Sequence, residues 1–104
     1  MDNFKIIYSI LKYLETAMDF AEPDHTPIKA ETLDITKERW RSIVKMLADE
    51  GYVEGVTLRQ YVRQPVAIIN FNPRITLKGL EYLNENNMMK KVVNTVKGIK
   101  EVNP

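Results

Sequence analysis

The chain has 104 residues, the size of one domain, so one core does all the folding work and a deep catalytic cavity is hard to spare. Hydrophobic residues make up 44% and charged residues 28% with no cysteine, which excludes a mainly disordered chain, disulfides, thiolate nucleophiles and cysteine-ligated metals. The net charge is +1, but unevenly spread: −4 through Thr36 and +5 from Lys37 onward, so one side of the surface is expected to favour anions.

From the start of the chain, Phe4, Ile7, Leu11, Leu14 and Met18 recur at helical spacing, and nothing between Asn3 and Phe20 breaks a helix. Asp2 or Asn3 is placed to cap it. A second stripe, Ile6, Ile10, Tyr13, Ala17 and Phe20, runs beside the first. The apolar surface is thus wider than a one-sided surface helix requires. It predicts packing against the core and a second neighbour, either a C-terminal helix or another copy of the chain. The first residues carry no basic segment followed by an unbroken apolar run, so no signal peptide is expected. No stretch approaches the ~18 apolar residues of a membrane span. These features predict a cytoplasmic protein.

Glu22 to Pro27 holds two prolines and small polar residues and reads as a loop. Between Ile28 and Ile35, Lys29 to Thr32 supports one or two helical turns anchored by Leu33 and Ile35. Thr36 is an N-cap for the clearest helix, from Lys37 to about Glu50, with Trp40, Ile43, Val44 and Leu47 on one face and Gly51 as its stop. Two short helices joined by such a turn make a helix-turn-helix. The β-branched and aromatic runs Tyr52–Leu58 and Val66–Phe71 read as two strands, with Arg59–Pro65 as a polar, partly basic hairpin tip.

Pro73, Arg74 and Ile75 lead to Thr76, an N-cap for a helix carrying Leu77, Leu80, Tyr82 and Leu83. Gly79 inside that helix costs about 1 kcal/mol relative to alanine, which points to a close contact that requires it. After a break at Asn84–Asn87, a last helix is expected from Met88 to about Ile99, with a frayed end. The fold read from this order is mainly α with a small β-hairpin: one winged helix-turn-helix domain, residues 1–104, with an additional C-terminal helix over 88–104.

The run Leu47-Ala48-Asp49-Glu50-Gly51-Tyr52-Val53-Glu54-Gly55-Val56 resembles the end of the third helix and first wing strand of many winged-helix proteins. Ile75-Thr76-Leu77-Lys78-Gly79-Leu80-Glu81-Tyr82-Leu83 resembles the helix that follows the wing. With Thr26-Pro27-Ile28 and the lysine-bearing C-terminal helix, nearly the whole chain is similar to the YjcQ family. These are small proteins of Gram-positive bacteria and their phages and prophages. The resemblance implies the fold and a phage-related setting, and it carries no catalytic residues.

In a winged helix the segment from Lys37 enters the major groove of DNA. Its outward positions are Lys37, Glu38, Arg41, Ser42 and Lys45, with Arg39 near the leading end. Lys37, Arg41 and Lys45 are spaced by four and suit phosphates, while Arg41 and Ser42 suit base edges. Glu38 on that face opposes tight binding. The tip residues Arg59, Gln60, Tyr61, Arg63 and Gln64 suit backbone or minor-groove contact. A solvated helix face and an ordinary polar loop are the alternatives. Ile6, Ile10 and Tyr13 with Met88, Met89, Val92 and Val96 form a candidate dimer seam, against internal packing of the last helix on the first. Trp40 reads as a core residue with a secondary capacity to line a small-ligand pocket.

His25, the single histidine, sits beside Asp24 without a third ligand at metal spacing. No nucleophile context or phosphate-binding glycine loop is present. The chain is therefore read as a non-enzyme with no cofactor and no metal. Two functions remain open: a DNA-binding regulator or accessory protein of phage type, or a winged-helix module that binds a phage or host protein instead of DNA. The first predicts a continuous positive surface, whereas the second predicts an exposed apolar patch and fits the near-neutral pI of 7.9.

Overall fold

The computed structural model describes residues 2–86. Its elements are α1 (Asn3–Ala17), a 3-10 turn (Thr26–Ile28), α2 (Ala30–Leu33), α3 (Lys37–Asp49), β1 (Val53–Arg59), β2 (Ala67–Ile75) and α4 (Leu77–Glu85). The helices expected before Met88 and the two-stranded antiparallel hairpin are present in the expected order. The helix expected from Met88 onward lies outside the described residues. No helix among those described is long and apolar enough to cross a membrane.

Local chemistry sets most boundaries. The Asp2 carboxylate accepts the Lys5 N–H at 2.9 Å and starts α1, as an N-cap does by satisfying an orphan donor. Thr36 and Thr76 do the same for α3 and α4, accepting from the N–H groups of Arg39 at 3.1 Å and Gly79 at 3.2 Å. Helix α3 stops at Gly51, whose φ of +78° lies in the left-handed region. There the Gly51 and Tyr52 N–H groups donate back to the carbonyls of Ala48 and Leu47 at 3.1 and 2.9 Å, a Schellman closure. Helix α1 ends at Ala17, short of the expected Phe20. The guanidinium of Arg74 on β2 donates to the carbonyls of Ala17, Phe20 and Ala21 at 3.0, 3.0 and 2.7 Å, which fixes the chain as it leaves the helix.

The hairpin pairs Val53 with Ile75 and Arg59 with Ala67 at its two ends. Strand β2 runs four residues beyond the expected Phe71, to Ile75. The register steps from Glu54↔Arg74 to Val56↔Phe71, so Gly55 faces both Asn72 and Pro73. This bulge absorbs Pro73, which has no N–H to give the ladder. It also explains Gly55: φ is +81° and an added Cβ would lie 2.1 Å from the Asn72 carbonyl oxygen.

Helix α1 occupies the centre, against the 3-10 turn, α3, β2 and α4. Ile6, Leu11 and Leu14 from α1 are fully buried with Ile28 and Ile43 and pack with Leu47, Val53, Ile75 and Leu83. A smaller cluster joins Ala30, Trp40 and Val44 to Ile68 and Phe71. Both stripes of α1 thus enter the core. Ile6 at 0% and Ile10 at 3% exposure belong to this interior rather than to the expected dimer seam, because neighbours surround α1 on most of its circumference. Tyr13 is half-buried and its hydroxyl donates to the Asp24 carbonyl. Their expected partners Met88, Met89, Val92 and Val96 lie outside the described residues. Phe4, Met18 and Phe20, expected on the buried stripes, are exposed.

Candidate nucleic-acid interface

The outward face of α3 follows from its inward one. Trp40, Ile43, Val44 and Leu47 are buried, and the Trp40 indole N–H donates to the Ile28 carbonyl at 2.8 Å, locking the rotation of the helix about its axis. That leaves Lys37, Glu38 and Ser42 exposed, with Arg41 and Lys45 half-buried. The N-terminal end of the helix adds a positive dipole to the same region.

The expected basic residues do not all act together. Lys45 pairs with Asp49 one turn later, which takes part of its charge out of play. Arg39 turns away and donates from Nε to the Asn3 side-chain oxygen at 2.8 Å, tying α3 to the start of α1. Lys37 and Arg41 remain, without an ion-pair partner among the described residues.

The hairpin loop leans on this face. Glu38, Arg41, Ser42 and Lys45 share a hollow of about 180 Å³ with Pro65 and Val66. The loop is shaped from within: the Gln60 amide donates to the carbonyls of Tyr61 and Gln64 at 3.2 and 3.1 Å, and Arg63 adopts a φ of +59°. Gln60 is therefore a loop fastener, a role its residue type did not reveal. Arg59, Tyr61 and Arg63 are exposed, and beside them Val62 is 87% exposed.

A larger cleft, about 780 Å³, lies between α2, α3 and the loop. It brings together Lys37, Arg41 and Tyr61 from the expected interface with Lys29, Trp40 and Phe71. Lys29 carried no functional expectation. It sits at the junction of the 3-10 turn and α2, where its N–H donates to the Thr26 carbonyl at 3.2 Å.

The loop from Asp24 to Thr26 holds its groups in local bonds. Asp24 Oδ1 accepts from the Thr26 N–H and hydroxyl at 3.0 and 2.7 Å, and these bonds, the backbone one foremost, hold its carboxyl below the ordinary aspartate range. His25 Nε2 lies 3.3 Å from Asn72 Oδ1, and its ring meets Phe71 edge-on. No three His, Asp or Glu side chains converge as metal ligands among the described residues.

Residues 8–102 match the family described as YjcQ protein. The uncharacterized protein YjcQ of Bacillus subtilis (strain 168) is 30% identical over 101 residues, spanning 97% of this chain and 97% of that one. The solution NMR structure of the YjcQ protein from Bacillus subtilis superposes with a TM-score of 0.51 at 28% identity, covering 79% of this chain and 92% of that chain.

Proposed function

The chain belongs to the YjcQ family, and we propose that it is a winged-helix DNA-binding protein without catalytic activity, a regulator or accessory factor of phage type. One observation carries this reading: the outer face of α3 and the hairpin loop line one cleft, with Lys37 and Arg41 on the same lining as Tyr61 and Gln64. A helix that enters the major groove beside a loop that reaches the backbone needs that adjacency. Lys37 and Arg41 act as the principal phosphate contacts, Ser42 reaches base edges, and Arg59 and Arg63 extend the contact along the duplex. The phage setting is part of the proposal and follows from what the family resemblance in the sequence implies.

The test is binding to labelled random duplex DNA at low and moderate salt, with a Lys37→Ala/Arg41→Ala/Lys45→Ala variant alongside. Affinity falls with salt, and the variant's log–log salt slope is shallower by about 2, because Lys45 is already paired and the other two each release about one counterion. Absence of binding at low salt, or an unchanged slope in the variant, overturns the reading.

A second reading has its own support. Phe4, Met18, Phe20, Ile69 and Leu77 are large apolar residues left exposed, and the paired Lys45 and diverted Arg39 thin the positive face. A protein-interaction module on the same scaffold uses such surface for a phage or host protein or a second copy. It predicts retained partner capture without salt-sensitive DNA binding.

A further inference from the structure

The cleft between α2, α3 and the hairpin offers more than a phosphate-contacting face requires. Its volume of about 780 Å³ falls within the ~300–1,000 Å³ of small-molecule sites. Its lining combines Trp40 and Phe71, whose ring centroids lie 5.1 Å apart, with Tyr61 and the apolar side chains of Val66 and Ile68. Lys29 Nζ lies 4.5 Å from the Phe71 ring centroid and 5.5 Å from that of Trp40. The ion pairs among the described residues are Lys12–Glu15 and Lys45–Asp49, and Lys29, Lys37 and Arg41 are in none of them. Glu31 is the single acid on the lining.

Three cations outside the ion pairs of the described residues, against one carboxylate and beside aromatic surface, suit a ligand that is both planar and anionic. Several N–H donors in one place suit the three oxygens of a phosphate better than the two of a carboxylate. The cleft also exceeds what a single small ring fills. We propose that it binds a nucleoside phosphate, with the base against Tyr61 and the exposed edge of Phe71 and the phosphate on Lys29, Lys37 and Arg41. The same group is presented by a free mononucleotide or by a nucleotide within a single strand. The proposal goes beyond the duplex reading and stands without it, since it is tested with no duplex present.

Trp40 is the single tryptophan of the chain and borders the site, so its fluorescence reports occupancy. The full chain is titrated with 5′-AMP, a short oligodeoxyadenylate strand, adenosine and inorganic phosphate. The expected result is a saturable change with 5′-AMP and with the strand, and at least tenfold weaker binding of adenosine and of phosphate alone. Tighter binding of the strand than of 5′-AMP assigns the strand as the source, and equal or weaker binding assigns the free nucleotide. Lys29→Gln weakens 5′-AMP about tenfold with unchanged circular dichroism, an effect of ~1.4 kcal/mol. Lys78→Gln, which alters a lysine bonded to the Glu50 carbonyl at the far end of α3, leaves affinity within twofold. A flat response to both 5′-AMP and the strand, adenosine binding as tightly as 5′-AMP, or equal weakening by Lys29→Gln and Lys78→Gln overturns the proposal.

Discussion

Replacing Gly79 by alanine sets two physical effects against each other. Gly79 lies in the first turn of α4, where alanine improves intrinsic helix stability by about 1 kcal/mol. Its missing side chain, however, is where α4 meets the β1 entrance. An added Cβ would lie 2.5 Å from the Tyr52 carbonyl oxygen and 2.6 Å from Ile75 Cγ1, far inside the ~3.5 Å at which carbon contacts are favourable. That carbonyl is held in place, because it accepts the Thr76 N–H at 3.2 Å, and Ile75 is a core residue. Helix α4 must therefore withdraw by close to an ångström. Overpacking of this kind costs about 1–3 kcal/mol, and losing the Thr76 bond costs about 0.5–1.5 kcal/mol more. Set against the helix gain, Gly79→Ala destabilises by about 2 kcal/mol, or ~10 °C in Tm for a domain of this size. Urea unfolding followed by Trp40 fluorescence and by circular dichroism measures it. A midpoint equal to or above that of the wild type would show that the close approach is not what selects glycine.

Arg74→Met keeps most of the side-chain stem and removes the donors to Ala17, Phe20 and Ala21. The loss is about 2 kcal/mol, since charged hydrogen bonds exceed neutral ones but the three are not additive; an unchanged urea midpoint would count against a clamp at this position. The depressed Asp24 pKa stabilises the fold above the ordinary aspartate value, and that contribution disappears as pH falls through the lower folded-state value. Thr26→Val removes one of the two donors, so NMR titration finds the Asp24 pKa moved up toward the ordinary value. The advantage of wild type over this variant is full near neutrality and lost in strong acid; identical Asp24 titrations in the two proteins would rule the cause out.

The elements most legible in the sequence are those whose determinants are local. Thr36, the Trp40–Leu47 stripe and Gly51 define α3 because capping, periodicity and the left-handed stop act within a few residues. Gly79 was legible as an anomaly, a poor helix former where a close contact is needed. The width of the apolar arc on α1 signalled two neighbours but not their identity: a second copy and the protein's own α4 and β2 present the same chemistry to Ile6 and Ile10. The continuation of β2 through Pro73 depends on a bulge opposite Gly55, which pairing creates and composition does not announce. Of the candidate site, residue types located α3 and the loop. They could not reveal that Asn3 diverts Arg39, that Asp49 engages Lys45, or that Lys29 completes the cleft, because those partners are set by tertiary placement.

The Arg74 clamp also bears on the order in which this chain acquires its shape. The carbonyls it gathers lie 53 to 57 positions earlier in the sequence. At ~5–20 residues per second of synthesis, the donor is made about 3–10 s after the acceptors. Through that interval α1 exists as a finished sequence without its closing contact and without the strand it packs against. Contacts so distant in sequence form slowly for topological reasons, so the end of α1 and the loop after it are fixed only once the hairpin root has been made. A destabilising change in the hairpin root is therefore felt as well at the far end of the oldest helix in the chain.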